Sequence, residues 1–197
     1  SAVYRYVPSR DDLLTRLIVE AYDSLGEAVE SAEAAVARDD FEGRFRAVAH
    51  AVRRWAFEHE HEYSLIYGSP VPGYRAPDDT VPPATRVPNL LIAIVRDGLA
   101  AGGQAPQHDD VPHAVVASME PLLESFSSAE VTAPADLVVR AVMAWVSIFG
   151  TVSFDLFGHR HNVILDERAA DNPFFAYEVE RLIQFVGLPS PSVGDTA

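Results

Sequence analysis

The chain contains no cysteine and no lysine. Without thiols there are no disulfides, no thiolate metal sites and no cysteine nucleophile, and the compartment is left open. All 15 basic residues are arginine, set against 29 acidic ones, for a formal net charge of −14. A body this acidic repels nucleic acid everywhere except at a local basic patch. No segment alternates apolar and polar residues with the period of two that a half-buried strand shows, and no internal repeat is visible. The longest uncharged apolar stretch, Ala141 to Phe154, has 14 residues between Arg140 and Asp155. That is short of the ~18 needed to span a bilayer, so no membrane partner is expected. The start shows no signal-peptide pattern. No G-x-S-x-G turn, phosphate-cradling glycine loop or close carboxylate pair on an apolar face is found. Neither catalysis nor a cofactor is therefore expected.

What is present is helical periodicity over 197 residues, enough for a sizeable core in one domain or one domain plus a fragment. From Ser9 to Ala37, Leu14, Ile18, Ala21, Leu25, Ala28 and Ala32 fall on one face of a long helix. Arg38, Asp39 and Asp40 make a turn, and Asp40 can cap the helix after it. Phe41, Phe45, Val48, Val52, Trp55 and His59 form one stripe of this second helix, Phe41 to Glu60, with Arg46, Arg53 and Glu60 on its opposite side. The Pro- and Gly-rich run from Gly68 to Pro83 reads as a stiff, structured loop. Helix resumes from Pro83 to Ala101, with Leu91, Ile94, Val95 and Leu99 inward, and Gly102 and Gly103 end it. Asp110 is placed to cap the next helix, which turns Val115, Val116, Met119, Leu122, Leu123 and Phe126 inward and is broken or kinked at Pro121. Pro134 to Phe157 is apolar all round, as in a helix buried on more than one side and shared between core and a partner. Asn172 and Pro173 open a last helix, Phe174 to Gly187, that buries Phe175, Val179, Leu182, Ile183 and Val186. Residues 190–197 read as a disordered tail.

The first fourteen residues, S-A-V-Y-R-Y-V-P-S-R-D-D-L-L, read as the tail of one helix, a break at Pro8 and the start of another. Ser9 is a good N-cap, with Asp12 at capping-box spacing. Tyr4, Arg5, Tyr6 and Arg10 crowd the break, a placement suited to docking something anionic. This stretch resembles the close of the helix-turn-helix in TetR-type transcription regulators, L/V-Y-x-(H/Y)-F-x-(S/N)-K/R-x-x-L-L. Val3, Tyr4, Tyr6, Pro8, Ser9, Arg10, Leu13 and Leu14 match in order. Val7 replaces the usual Phe, and Arg10 the usual Lys. The resemblance extends along the whole chain. Trp55, His59 and Gly68, followed by S-P-V-P-G-Y, match a subgroup with a Trp–His–Gly pattern, although Glu60 stands where a Pro often comes after the His.

The resemblance implies an all-α, TetR-like fold and a cytoplasmic homodimer bound to double-stranded operator DNA. It implies that Ser1, Tyr4, Tyr6 and Arg10 face the DNA, with Tyr4, Tyr6 and Arg10 on phosphates and Ser1 and Ala2 nearer the base edges. It also places about two more helices ahead of Ser1. Residues 1–37 would then be the end of the DNA-binding domain plus a connecting helix. Residues 38–189 would form the effector-binding and dimerisation domain, with the dimer closing through 134–157 and 174–187.

The remaining candidates have bland alternatives. Tyr4, Tyr6 and Arg10 could be a packing cluster at a helix corner. His59, Glu60, His61 and Glu62 look like a metal cluster, but ligands two apart on a helix point to different sides, so no metal is expected here or at His159 and His161. Trp55, His59, Tyr63, Tyr67, Met119, Phe126, Trp145 and Phe149 could line a cavity for a small apolar effector, since bundle interiors are common ligand sites. Each taken alone could equally be ordinary core. The alternative function is a helical module that binds a small molecule or lipid and has no DNA role.

Overall fold

The computed structural model describes residues 9–102, 111–120, 122 and 134–189. Among these the structure is helical and contains no strand. Helix α1 (Arg10–Ala34) starts on the expected cap: the Ser9 hydroxyl accepts from the Asp12 amide at 3.0 Å. The Asp12 carboxylate accepts from the Ser9 hydroxyl at 2.7 Å, where a full capping box would have it accept from the Ser9 amide. Asp40 caps α2 (Phe41–Glu58) through the Gly43 amide, at 2.8 Å.

The second helix is shorter than the spacing predicts. His59 leaves helical geometry at φ −130°, ψ 52° and separates α2 from α3 (Glu60–Tyr67). Its ring stacks on Trp55 and its Nδ1 lies 3.1 Å from the Trp55 carbonyl oxygen, so the side chain competes for the end of its own helix. After the Pro-rich loop come a 3₁₀ turn (Asp78–Thr80), α4 (Val81–Ala84) and α5 (Arg86–Ala100). The single helix expected from Pro83 to Ala101 is thus two, divided at Thr85. Helix α6 (His113–Ser118) differs from expectation in its burial. Val115 is exposed, and Val116 and Met119 are only partly covered. Asp110, Pro121, Leu123 and Phe126 lie outside the described residues.

Helices α7 (Ala135–Leu156) and α8 (Pro173–Val186) form an adjacent pair packed on α2, with α7 also meeting α5. Asn172 caps α8 through the Phe175 amide at 2.9 Å, and Gly187, at φ 80°, closes it in the left-handed conformation. The core joins α1, α2, α3, α5, α7 and α8 around Phe45, Val52, Tyr63, Leu91, Ile148 and Phe175.

One further feature departs from the sequence reading. Arg53, expected on the solvated side of α2, is buried and lies over the Phe57 ring, 4.6 Å from its centroid. Helix α7, expected to be shared between core and a partner, has one side in the core of the subunit and the other bare. Met143, Val146, Phe154 and Phe157 are exposed, and nothing lies within 4 Å of where a Cβ at Gly150 would sit. By length and composition alone α7 could cross a membrane. In this fold its other face is core, and it carries the buried charges Asp136, Arg140 and Asp155.

Candidate functional site

Three regions are candidates, two of them expected from the sequence. The first is the N-terminal end of α1. Arg10 is its first residue and is exposed, and Arg16 and Leu17 are exposed one to two turns further on. Ser1, Tyr4 and Tyr6 lie outside the described residues.

The second region lies between α3 and α7. Tyr63 and Tyr67 pack ring to ring at 5.0 Å, Tyr67 meets Phe149 at 4.7 Å, and Phe149 meets Trp145 edge-on at 6.1 Å. Four of the eight candidate effector residues are therefore one continuous aromatic layer. Trp55 is buried beside it on α2, with its indole N–H donating to the Ser24 hydroxyl at 3.0 Å and its face covered by His59. Met119 lies partly buried beyond α6, and Phe126 lies outside the described residues.

Polar groups within this layer are unequally satisfied. The Tyr63 hydroxyl donates to the Phe149 carbonyl oxygen at 3.2 Å and lies 2.9 Å from the Ser153 hydroxyl. Burial pushes its phenol up to about 12. Burial raises Tyr67 as well, so both stay protonated donors at neutral pH. The Trp145 Nε1 is buried without a hydrogen-bond partner. An unmet buried donor costs about 1–3 kcal/mol and favours a ligand that brings an acceptor. Tyr63→Phe is expected to lower unfolding free energy by about 1–2 kcal/mol, read as a drop in urea midpoint at unchanged slope.

The third region is two clefts that the sequence did not single out. A cleft of about 390 Å³ lies between the C-terminal half of α2 and residues 168–171, lined by His50, Arg53, Arg54, Phe57 and Arg168. Desolvation, and then the charges of Arg53 and Arg46, hold His50 below its usual value. The folded state therefore prefers neutral His50. Its stability contribution is full above the unfolded-state value near 6.5 and is lost as pH falls through the lowered folded value. Between pH 7.5 and 5 the wild type is expected to lose more unfolding free energy than His50→Gln, compared by urea titration at each pH.

The other cleft, about 370 Å³, lies between α1, α3 and the Pro-rich loop; Ile18, Tyr22, Ile66, Tyr74, Val81 and Ala84 are among its walls. The signal for it was present in the stiff G-S-P-V-P-G-Y run, but the partners across it come from helices far apart in sequence.

Similarity to known proteins fits this geometry. The family described as Tetracyclin repressor-like, C-terminal domain, matches residues 45–182. The chain belongs to the TetR family of transcriptional regulators. It is 37% identical over 161 residues to the HTH-type transcriptional regulators Rv1816 of Mycobacterium tuberculosis and Mb1846 of Mycobacterium bovis, covering 80% of this chain and 67% of each relative. Among solved structures it resembles SCO4313, described as a regulatory protein, with a TM-score of 0.69 and 30% identity over 93% of this chain and 78% of that one. A protein of unknown function from Rhodococcus sp. RHA1 shares the fold, with a TM-score of 0.63 at 21% identity over 93% of this chain and 75% of its own.

Proposed function

We propose that this chain is part of a homodimeric TetR-type repressor that leaves its operator when a small apolar effector enters the helical body. Residues 1–37 serve as the end of the DNA-binding domain and the connecting helix, and residues 38–189 as the effector and dimerisation domain. The observation that carries the reading is the exposed apolar stripe Met143, Val146, Gly150, Phe154 and Phe157 on α7. Its spacing of three or four residues marks one helix face. Phe174 and Tyr177 extend exposed apolar surface onto α8. A stripe of this kind on a soluble regulator marks an interaction site, and a second copy offers the matching stripe by symmetry.

Two subunits hold two recognition helices at a fixed groove spacing, so a small change in that spacing lowers affinity. An effector that binds better to the non-matching arrangement shifts the population toward it. The aromatic layer of Tyr63, Tyr67, Trp145 and Phe149, with Trp55, His59, Met119 and Phe126, is the candidate effector wall. Tyr4, Tyr6 and Arg10 would hold phosphates, with Ser1 nearer the bases.

The test is a mobility shift of the full-length protein on DNA from upstream of its own gene. A retarded complex at low salt is expected. Arg10→Ala should weaken it about equally on all sequences and reduce the salt slope by about one. The net charge of −14 favours the second reading, a binding module without DNA function; absence of any complex at low salt would select it.

A further inference from the structure

The cleft of about 390 Å³ beside the C-terminal half of α2 shares no wall with the aromatic layer of Tyr63, Tyr67, Trp145 and Phe149, and none with α1. Trp55 faces α1, where its indole donates to Ser24, whereas His50 on the same helix meets the Phe175 ring of α8 edge-on at 5.4 Å. The cleft opens on this second side of α2.

Its chemistry is out of keeping with the rest of the chain. The protein carries a net charge of −14, yet Arg53, Arg54 and Arg168 converge on one cleft. The charge at its floor is under-compensated. Arg53 and Arg160 both lean on one fully buried carboxylate, Asp155, and the Arg53 Nε makes no hydrogen bond. Burial lowers the Arg53 guanidinium from its ordinary value in spite of Asp155. The His50 ring registers the same potential: after desolvation, the charges of Arg53 and Arg46 hold it below its usual value. Arg168 is committed to the Glu60 carboxylate and the Leu156 carbonyl oxygen. The exposed Arg54, by contrast, has no hydrogen bond or ion pair among the described residues, so its fork of donors is open. Phe57 and Ala170 add apolar wall. Two carboxylates, Glu58 and Asp171, line the cleft as well. Both are exposed and screened by water, whereas Arg53 is buried and its field is less damped. The acids therefore bear most on a second negative charge.

We propose that this cleft binds a small organic monoanion, a carboxylate on a flat apolar body, independently of any effector in the aromatic layer. The carboxylate pairs with the Arg54 fork above the positive floor, a charge-assisted contact of the kind that carboxylates make with guanidinium groups. The apolar body rests against Phe57 and Ala170. The floor disfavours a cation, and Glu58 and Asp171 disfavour a dianion. The volume lies within the range of small-molecule sites.

The test is calorimetric titration of the full-length protein, without DNA, by four probes on one ring system. These are 2-naphthoate, the neutral 2-naphthylmethanol, the cationic 2-naphthylmethylamine and the dianionic 2-naphthyl phosphate. Saturable binding of naphthoate is expected, with the alcohol and the amine weaker by about tenfold or more, the loss of one charge-assisted hydrogen bond, and the phosphate weaker than naphthoate. Arg54→Gln, at an exposed position that keeps the fold, should weaken naphthoate about fivefold. Ala170→Trp fills the cleft and should weaken it about tenfold or more. Glu58→Gln removes an opposing charge and should tighten naphthoate about threefold. No saturable naphthoate binding, an alcohol or amine that binds as tightly, or a naphthoate affinity unmoved by both Arg54→Gln and Ala170→Trp would overturn the proposal. A failed operator-binding assay would count against the regulator reading alone.

Discussion

Asp155→Ala is expected to destabilise the fold by about 3–5 kcal/mol, a large fraction of the ~5–15 kcal/mol that holds a domain together. Asp155 is fully buried and is the acidic partner of two arginines. Arg160 binds its Oδ1, and the Arg53 Nε approaches its Oδ2 at 3.7 Å. Arg53 in turn donates to the backbone carbonyls of Glu167 at 2.7 Å and Ala170 at 3.4 Å. The carboxylate thus ties α7 to two of the arginines that hold the connection from α7 to α8. Removing it leaves a buried guanidinium without its counter-charge, and that stranded charge carries most of the cost. Exposure decides the comparison with Arg46–Glu180, an ion pair of similar chemistry at 2.6 Å whose side chains are 37% and 45% exposed. Solvent screens that pair, and Glu180→Ala should cost below about 1 kcal/mol. Urea unfolding of both variants under one condition makes the comparison; a loss at Asp155 no larger than at Glu180 would refute this account of the connection.

The second large effect is on assembly. Val146→Glu is expected to convert the proposed dimer to monomer in sedimentation velocity at micromolar concentration while leaving the melting of the subunit's helices nearly intact. Val146 is 57% exposed in the subunit, so a carboxylate there meets water until a second copy arrives. In a symmetric pair the substitution appears on both subunits. Two carboxylates brought into one apolar seam then lose hydration and repel each other. Gly150, one turn further along the stripe, is open on that side and lets a partner helix approach closely. Loss of the dimer also removes bivalent DNA engagement, which is worth a factor of about 10² to 10⁴, so operator affinity should fall by at least 100-fold. A Val146→Glu protein that sediments as wild type would place the seam elsewhere. Met143→Glu, on the same stripe, gives an independent reading.

Much of the architecture was legible from short-range chemistry. Ser9, Asp40 and Asn172 cap because a small polar side chain before an apolar-periodic run meets the orphan amides of the first turn. Gly187 ends α8 because it alone takes φ 80° without penalty. The break after α2 was expected at about Glu60 and falls at His59, whose ring folds back on Trp55, a detail that periodicity does not register. Val115, assigned inward, is exposed, because periodicity marks an apolar face without showing how deeply each of its residues is covered. Arg53 was read as solvated because nothing on α2 reveals Asp155, 102 positions away in sequence, nor the carbonyls of the loop after α7.

The candidate sites divide in the same way. The aromatic residues Tyr63, Tyr67, Trp145 and Phe149 could be named in advance, because bulky rings with polar tips are conspicuous in any helical pattern. That they meet as one layer, and that Trp145 is left without an acceptor, depends on how α3 lies across α7. The sequence by itself determined the helical elements, most of their ends, the family signature around Tyr4 to Leu14 and Trp55 to Tyr74, and the apolar character of α7. Only the tertiary structure decided which side of α7 is core and which is bare, which charges are buried together, and that an uncharged cleft opens between α1, α3 and the Pro-rich loop. The physical reason is range. Capping, turn geometry and periodicity act within a few residues, whereas burial, ion pairing and clefts are properties of surfaces that meet only after the helices have packed.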